Sequence, residues 1–273
     1  MEQIHTKSDK RHKISSDKKY QFILHSDDEG AVLIYGRGGE LGDFNVFVQS
    51  LINQDLKAKY DKNIAVKHIE RKKDLIDYLS ETDFGFKISE LHIFSHSFGT
   101  GLSLAYEDPA LEKEREAWVQ NSISQYYDNN KLDDLYDAII AREISILFID
   151  DLLYLMPEGT KNKIQNKFDA KGAFVKIWGC NSGYENWTYS TESIYWGALN
   201  YKHNPKPSMA RAFAILCNVN TYGATSGSHI EVKDNGQWIK SDEYERKHGS
   251  PPSGALPSRL KPDRGDYIEF KPQ

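Results

Sequence analysis

Residues 31–39 read AVLIYGRGG, and this run of apolar residues followed at once by a glycine-rich turn indicates the fold class. An uninterrupted apolar run of this length is typical of a strand buried on both faces of a parallel sheet. Three later stretches repeat the pattern: LHIFSHSFG at 91–99, AFVKIWGCNSG at 173–183 and VNTYGATSG at 219–227. Each is predicted to be a strand that ends in a loop of small residues.

Helical patterns separate these strands along the chain. Phe47, Val48, Leu51, Ile52 and Leu56 stand at helical spacing and predict a helix over 44–60. Similar patterns predict further helices over 73–79, 160–168 and 208–216, and further strands over 64–69, 102–106 and 144–149. Strands that alternate with helices favour an α/β fold, a three-layer sandwich around a mainly parallel sheet.

The two ends and one internal stretch depart from this alternation. Residues 1–20 are polar and basic and are predicted to form a loose leader. Residues 21–248 are predicted to be a single α/β domain, interrupted by a polar, helical insertion over 109–142. Residues 249–273 are rich in proline and glycine, which disfavours regular structure, so an extended tail is expected there.

The composition excludes several classes of protein. The chain has 35 basic and 40 acidic residues, a net charge of −5, which argues against a chain-wide nucleic-acid interface. No apolar run reaches the roughly 18 residues of a membrane span, and residues 1–20 lack the apolar core of a signal peptide. We therefore expect a cytoplasmic protein, or one exported without a classical signal.

The cysteines and acidic pairs point away from disulfides, metals and cofactors. Two cysteines, Cys180 and Cys217, are too few for a disulfide scaffold, and their spacing matches no zinc motif. The acidic pairs at 133–134 and 150–151 have no further ligand at a suitable spacing. No metal and no cofactor is expected, and a single reactive thiol is possible.

The loops that follow the strands carry the candidate chemistry. Ligands of open α/β sheets bind beyond the carboxyl ends of the strands, and this rule gathers Arg37, His96, Cys180 and Ser226 at one edge. A thiol nucleophile needs a neighbouring base and backbone N–H groups that face the developing oxyanion. His96 and Cys180, each just past a strand among small residues, match that requirement.

These two loops resemble a known family. A strand ending in His and small residues (IFSHSFG, 93–99) and a later strand ending in Gly-Cys-x-x-Gly (IWGCNSG, 177–183) look like the caspase-like cysteine peptidases. That group includes caspases, gingipains, separases, CHAT domains and the self-cleaving protease domains of bacterial toxins. The resemblance covers about residues 30–232.

The resemblance implies a caspase-like fold and a cysteine endopeptidase that acts on protein or peptide substrates through a thioester. His96 would be the general base and acid, Cys180 the nucleophile, and the backbone N–H groups of Ser97 and Cys180 the oxyanion hole. The family usually has glycine where this chain has Ser97. Arg37, and with it Ser226, is expected to border the substrate pocket, where a guanidinium favours an acidic side chain.

Two other functions fit the same residues. SHSFG at 95–99 also reads as a relaxed nucleophile elbow, which would make the protein a serine esterase or lipase of the α/β-hydrolase type using Ser97. Asp150 or Glu185, followed by His229, satisfies the chain order of that triad. The third interpretation is a non-catalytic binding module, because a fold does not guarantee an activity.

Overall fold

The structure is a computed structural model, and it describes residues 29–38, 44–99, 101–106, 108–110, 113–114, 117–118, 121, 142–169, 171–185 and 207–272. The predicted leader over 1–20 and most of the predicted insertion over 109–142 lie outside the described residues. No helix in the described ranges is long and apolar enough to cross a membrane.

Strands and helices alternate over part of the described chain, as predicted, but the four strands between residues 87 and 106 and the three between 220 and 240 follow one another with no helix among the described residues between them. The strands are β1 (Glu29–Tyr35), β2 (Arg37–Gly38), β3 (Ile64–His68), β4 (Lys87–Phe94), β5 (His96–Ser97), β6 (Gly101–Ser103), β7 (Ala105–Tyr106), β8 (Ile146–Phe148), β9 (Phe174–Ile177), β10 (Asn220–Gly223), β11 (Ser228–Asp234), β12 (Gln237–Lys240), β13 (Ser258–Pro262) and β14 (Ile268–Phe270). The helices are α1 (Asn45–Leu51), α2 (Lys57–Tyr60), α3 (Lys72–Glu81), α4 (Glu158–Gln165), α5 (Met209–Cys217) and α6 (Ser241–His248). Two π-helical turns, Ile52–Leu56 and Asp151–Leu155, complete the set, and the first joins α1 to α2.

A six-stranded sheet with strand order β14-β10-β9-β4-β1-β3 forms the centre of the molecule. All neighbouring strands in it are parallel, except that the edge strand β14 runs antiparallel to β10. The prediction of a mainly parallel sheet is confirmed. It follows that the loops after β1, β4, β9 and β10 leave the same edge of the sheet.

Helices cover both faces of this sheet, because its central strands are apolar on both sides. In β1, Val32 and Ile34 pack into a core with α3, α4 and α5, whereas Ala31 and Leu33 pack against α1 and α2 on the other face. This two-sided burial explains why β1 reads as an unbroken apolar run. The arrangement is compatible with a three-layer sandwich.

The bounds of helix α5 are set by capping residues in the local sequence. The side-chain oxygen of Ser208 accepts a hydrogen bond from the backbone N–H of Arg211 at 3.1 Å, which caps the first turn. Asn218 ends the helix in the left-handed conformation, with φ at +55°. The buried face of α5 then packs over the sheet next to β9 and β10.

The carboxyl-terminal part of the chain, which was expected to be an extended tail, forms two strands that pair in sheets. Within 249–273, Ser258–Pro262 forms β13, the partner of β11 in a three-stranded antiparallel sheet, and Ile268–Phe270 adds β14 to the central sheet. Leu260 in β13 and Phe270 in β14 are buried. The proline at 257 stands just before β13, and the proline at 262 is the last residue of that strand. At the end of a strand, proline interferes little with pairing.

Candidate active site

A small cavity of about 90 Å³ lies where the chain leaves the carboxyl ends of β1, β4 and β9. We call it the Cys–His cavity. Its walls are Gly38, Phe44, Phe47, Ser95, His96, Trp178, Gly179, Cys180, Ser228, Ile230 and Leu260. The structure thus brings together on one cavity the two residues that the sequence analysis selected for nucleophilic chemistry, His96 and Cys180.

Gly179 allows the loops that carry these two residues to meet. A Cβ atom at Gly179 would lie 2.6 Å from the Cβ of Ser97 and 2.8 Å from the carbonyl oxygen of Ser95. Only glycine fits such an approach without displacing the neighbouring backbone. Since Gly179 precedes Cys180, and Ser95 and Ser97 flank His96, this contact holds the cysteine loop directly against the histidine loop.

The cysteine loop is held by buried hydrogen bonds from Ser182. This side chain is fully buried; its hydroxyl donates to the carbonyl of Gly179 at 2.9 Å and accepts the backbone N–H of Ala224 at 3.1 Å. Its carbonyl in turn accepts the N–H of Ala210 at the start of α5 at 2.8 Å. The loop is therefore preorganised, which a nucleophile requires for a defined line of attack.

The imidazole of His96 is enclosed by aromatic rings and a backbone carbonyl. Its ring centroid lies 4.1 Å from that of Tyr106 and 5.2 Å from that of Phe44. Its Nε2 lies 3.5 Å from the carbonyl oxygen of Gly38 in β2. An N–H donated to that carbonyl leaves Nδ1 unprotonated and able to accept a proton, the state that a general base requires.

Ser97, the other candidate nucleophile, lies in a different local structure from a nucleophile elbow. It stands in β5, is 8% exposed, and the chain continues into β6, which pairs antiparallel with β5. An elbow instead presents its serine on a sharp turn that feeds a helix. The other members of that triad have separate partners: Glu185 forms an ion pair with Arg211 at 2.7 Å, and His229 contacts Asp263 at 2.9 Å.

Arg37 and Ser226 lie next to the site without being among the residues that line the Cys–His cavity. The Arg37 guanidinium is 3.4 Å from the carboxylate of Asp108, the residue just before the insertion. The carbonyl of Ser226 accepts the N–H of Asn181 at 2.8 Å, and its hydroxyl accepts the N–H of Arg264 at 3.0 Å. Ser226 therefore stabilises the cysteine loop through the hydrogen bond that its carbonyl accepts from Asn181.

No protein-family model matches this chain, and no curated protein matches it. Within the described residues, no group of three or more His, Cys, Asp or Glu side chains is placed to hold a metal ion.

Trp178 is the largest wall of the Cys–His cavity, and a buried polar network holds it in place. Its indole N–H donates to Nδ1 of His92 at 3.3 Å, and Nε2 of His92 contacts Glu90 at 2.9 Å. Because an indole N–H can only donate a hydrogen bond, Nδ1 of His92 must be the acceptor and is unprotonated. Nε2 of His92 therefore carries the hydrogen and donates it in a hydrogen bond to Glu90. Burial lowers the pKa of His92, which agrees with this neutral form.

Glu90 carries the negative charge of this network. Its carboxylate also accepts a hydrogen bond from the Tyr60 hydroxyl at 2.8 Å and pairs with the Lys59 ammonium. Burial by itself raises the pKa of Glu90, but the hydrogen bonds from His92, Lys59 and Tyr60 outweigh it and lower the pKa to about 2. The charge is thus stable in the interior because each carboxylate oxygen has donors.

The indole of Trp178 is also held by its ring contacts. It stacks on Phe94 with centroids 5.2 Å apart and planes at 5°, and it meets Tyr267 edge-on at 5.3 Å. The Lys176 ammonium lies 3.8 Å from the Trp178 centroid and 4.2 Å from that of Tyr267, and burial lowers the pKa of Lys176 to about 8. Trp178 is therefore a rigid wall of the cavity.

The hydrogen-bond network around Glu90 is expected to stabilise the fold. Glu90→Gln should lower the free energy of unfolding at pH 7 by about 2 kcal/mol, because the substitution removes a buried charge whose hydrogen bonds hold its folded-state pKa below the usual 4.5. Such a group stabilises the fold above its unfolded pKa, and this contribution is lost as the pH falls from about 5 to 2. Urea unfolding at pH 7 and pH 3 should therefore show a smaller difference between the two proteins in acid.

Glu81→Gln is the matched control, since Glu81 also pairs with a lysine, Lys163, but on the surface. This exposed pair should change the urea midpoint little at either pH. Equal effects of the two substitutions, or a Glu90→Gln effect that does not depend on pH, would contradict the assignment of the buried charge.

Several residues of the site were missed by the sequence analysis. They are the apolar walls contributed by Phe44, Phe47, Trp178, Ile230 and Leu260. In the sequence such residues are indistinguishable from ordinary core residues, and the last two belong to strands that the sequence analysis did not predict. The aromatic residues at 187, 189, 195 and 196, which follow the cysteine loop in the sequence, lie outside the described residues.

Proposed function

We propose that the protein is a cysteine endopeptidase of the caspase-like type, with Cys180 as nucleophile and His96 as general base and acid. The observation that carries the proposal is that both residues line one small cavity at the carboxyl edge of a mainly parallel sheet. The resemblance of the segments 93–99 and 177–183 to that family supports the same assignment.

The reaction proceeds in two stages. His96 takes the proton of the Cys180 thiol, the sulfur attacks the peptide carbonyl carbon, and a tetrahedral oxyanion forms. The oxyanion collapses, the C–N bond breaks, and His96 gives its proton to the leaving amine, which leaves a thioester on Cys180. Water, deprotonated by His96, then attacks the thioester; the C–S bond breaks, the new carboxyl end is released, and His96 returns the proton to the sulfur of Cys180.

Backbone N–H groups of Ser97 and Cys180 are the proposed donors to the oxyanion. Gly179 supports this assignment, because a Cβ at that position would lie 3.3 Å from the Ser97 nitrogen, so the two backbone segments are adjacent. Donors fixed in a preorganised loop stabilise the oxyanion without reorganisation during the reaction. The buried hydroxyl of Ser182, which links Gly179 to Ala224, maintains the loop in this state.

The two cysteines provide the experiment that tests the proposal. Cys180 is partly exposed, whereas Cys217 is 1% exposed and burial raises the pKa of its thiol, so it is an internal control. Iodoacetamide added to the folded protein should modify Cys180 only, and cleavage of fluorescent casein or of a random peptide library should fall in parallel with that modification. Peptide mapping by mass spectrometry measures the modification of each cysteine.

Two outcomes would overturn the proposal. One is peptidase activity that survives complete modification of Cys180. The other is a folded protein that cleaves no member of the library and no casein, which would favour the binding module.

A further inference from the structure

The Cys–His cavity has walls that are almost entirely uncharged. Its large side chains are Phe44, Phe47, Trp178, Ile230 and Leu260, and within the described residues no Asp, Glu, Lys or Arg is among its walls. A charged group placed there would lose its hydration and find no Asp, Glu, Lys or Arg among the described walls as an ionic partner, which is unfavourable. The cavity therefore discriminates by charge.

The register of the small sheet explains why the nearby charges stay out of the cavity. Ile230 of β11 pairs with Leu260 of β13, and both side chains are walls of the cavity. The next pair along the ladder is Glu231 with Arg259, whose side chains alternate to the opposite face of the sheet. There they satisfy each other through an ion pair at 2.7 Å.

Two serine hydroxyls give the cavity a limited polar character. Those of Ser95 and Ser228 are buried and have no hydrogen-bond partner among the described residues, and Ser95 is only 1% exposed. Buried hydroxyls usually have a partner, and rotation of either serine side chain toward the cavity would let its hydroxyl bind a neutral polar atom of an occupant. They can bind a neutral polar atom but cannot neutralise a charge.

The size of the cavity limits the occupant further. About 90 Å³ is smaller than the roughly 150 Å³ of an apolar protein cavity that holds one benzene molecule. This space suits a side chain of three or four non-hydrogen atoms, such as Val, Leu, Met, Thr or Asn. The rigid indole of Trp178 forms one side of this space.

We propose that the Cys–His cavity binds the side chain that precedes the scissile bond, and that it selects small to medium uncharged side chains. The inference rests on the proposed function. A side chain in a cavity walled by both Cys180 and His96 belongs to the residue whose carbonyl the sulfur attacks. The guanidinium of Arg37, paired with Asp108, has no part in this selection.

The test is a panel of peptides that differ only in the residue before the scissile bond: Ala, Val, Leu, Thr, Asp, Arg and Trp. We expect kcat/KM for the best neutral residue to exceed that for Asp and Arg by at least about 100-fold. Ile230→Ala should raise kcat/KM for larger residues such as Phe by about 10-fold or more, because it removes part of one wall.

Ile239→Ala is the matched control, since Ile239 is also half-buried but stands on β12 and is not a wall of the cavity. It should leave the preference unchanged. A preference for Asp that Arg37→Ala abolishes, or a preference for Arg, would overturn this inference and leave the cysteine peptidase intact. Cleavage of no peptide, together with no loss of casein cleavage on modification of Cys180, would instead overturn the proposed function itself.

Discussion

Cys180→Ala should lower kcat/KM for peptide hydrolysis by at least about 10³-fold and leave the protein folded. The substitution removes the atom that forms the thioester, and no other cysteine of the chain reaches the cavity, since Cys217 is buried in α5. The free energy of unfolding should change by at most about 1 kcal/mol, because Cys180 stands in a surface loop. Initial rates and urea unfolding measure the two effects.

Two control variants make this result specific. Cys217→Ala creates a small cavity in the core and should cost stability while retaining most of the activity. Ser97→Ala removes a buried hydroxyl that has no partner among the described residues, so most of the activity should remain. Loss of activity in Ser97→Ala, with retention in Cys180→Ala, would identify a serine hydrolase instead.

His96→Asn is expected to lower kcat by about 10²- to 10⁴-fold, the usual contribution of a general acid–base group. Asparagine keeps a hydrogen-bonding side chain near the carbonyl of Gly38 but cannot carry a proton between the thiol and the leaving amine. Single-turnover measurement with a peptide of the preferred sequence separates this chemical step from binding. The effect should lie in kcat, with a much smaller change in KM.

His248→Asn is the control for the histidine, because His248 stands at the end of the surface helix α6, where it contacts Asp234 at 3.3 Å. Its kcat should match that of the wild type. A His96→Asn protein with wild-type kcat would remove His96 from the reaction and leave Cys180 without its proposed base.

The central sheet could be predicted from the sequence because its strands carry their own signals. The apolar run over 31–35 and the apolar positions of 91–94 and 173–178 correspond to β1, β4 and β9. Burial on both faces forces such strands to be apolar throughout, so the pattern is visible without knowledge of the neighbours. The helices that cover the sheet are visible because the one face that each buries places apolar residues at helical spacing.

The carboxyl-terminal strands could not be predicted in the same way. Residues 258–262 alternate between buried and half-buried positions; a proline precedes them and another is the last of them. The strand at 268–270 is only three residues long. Their stability comes from pairing with β11 and β10, which are distant in the sequence. Local composition alone therefore indicated an extended tail.

The sequence by itself determined the α/β class and the choice of His96 and Cys180, because a parallel sheet places its carboxyl-terminal loops at one edge. Only the tertiary structure decided which side chains surround that pair. Gly179 brings the two loops into contact, β11 and β13 supply Ile230 and Leu260, and Arg37 pairs with Asp108. These are contacts between distant segments, and they depend on packing geometry that a linear pattern of residues does not contain.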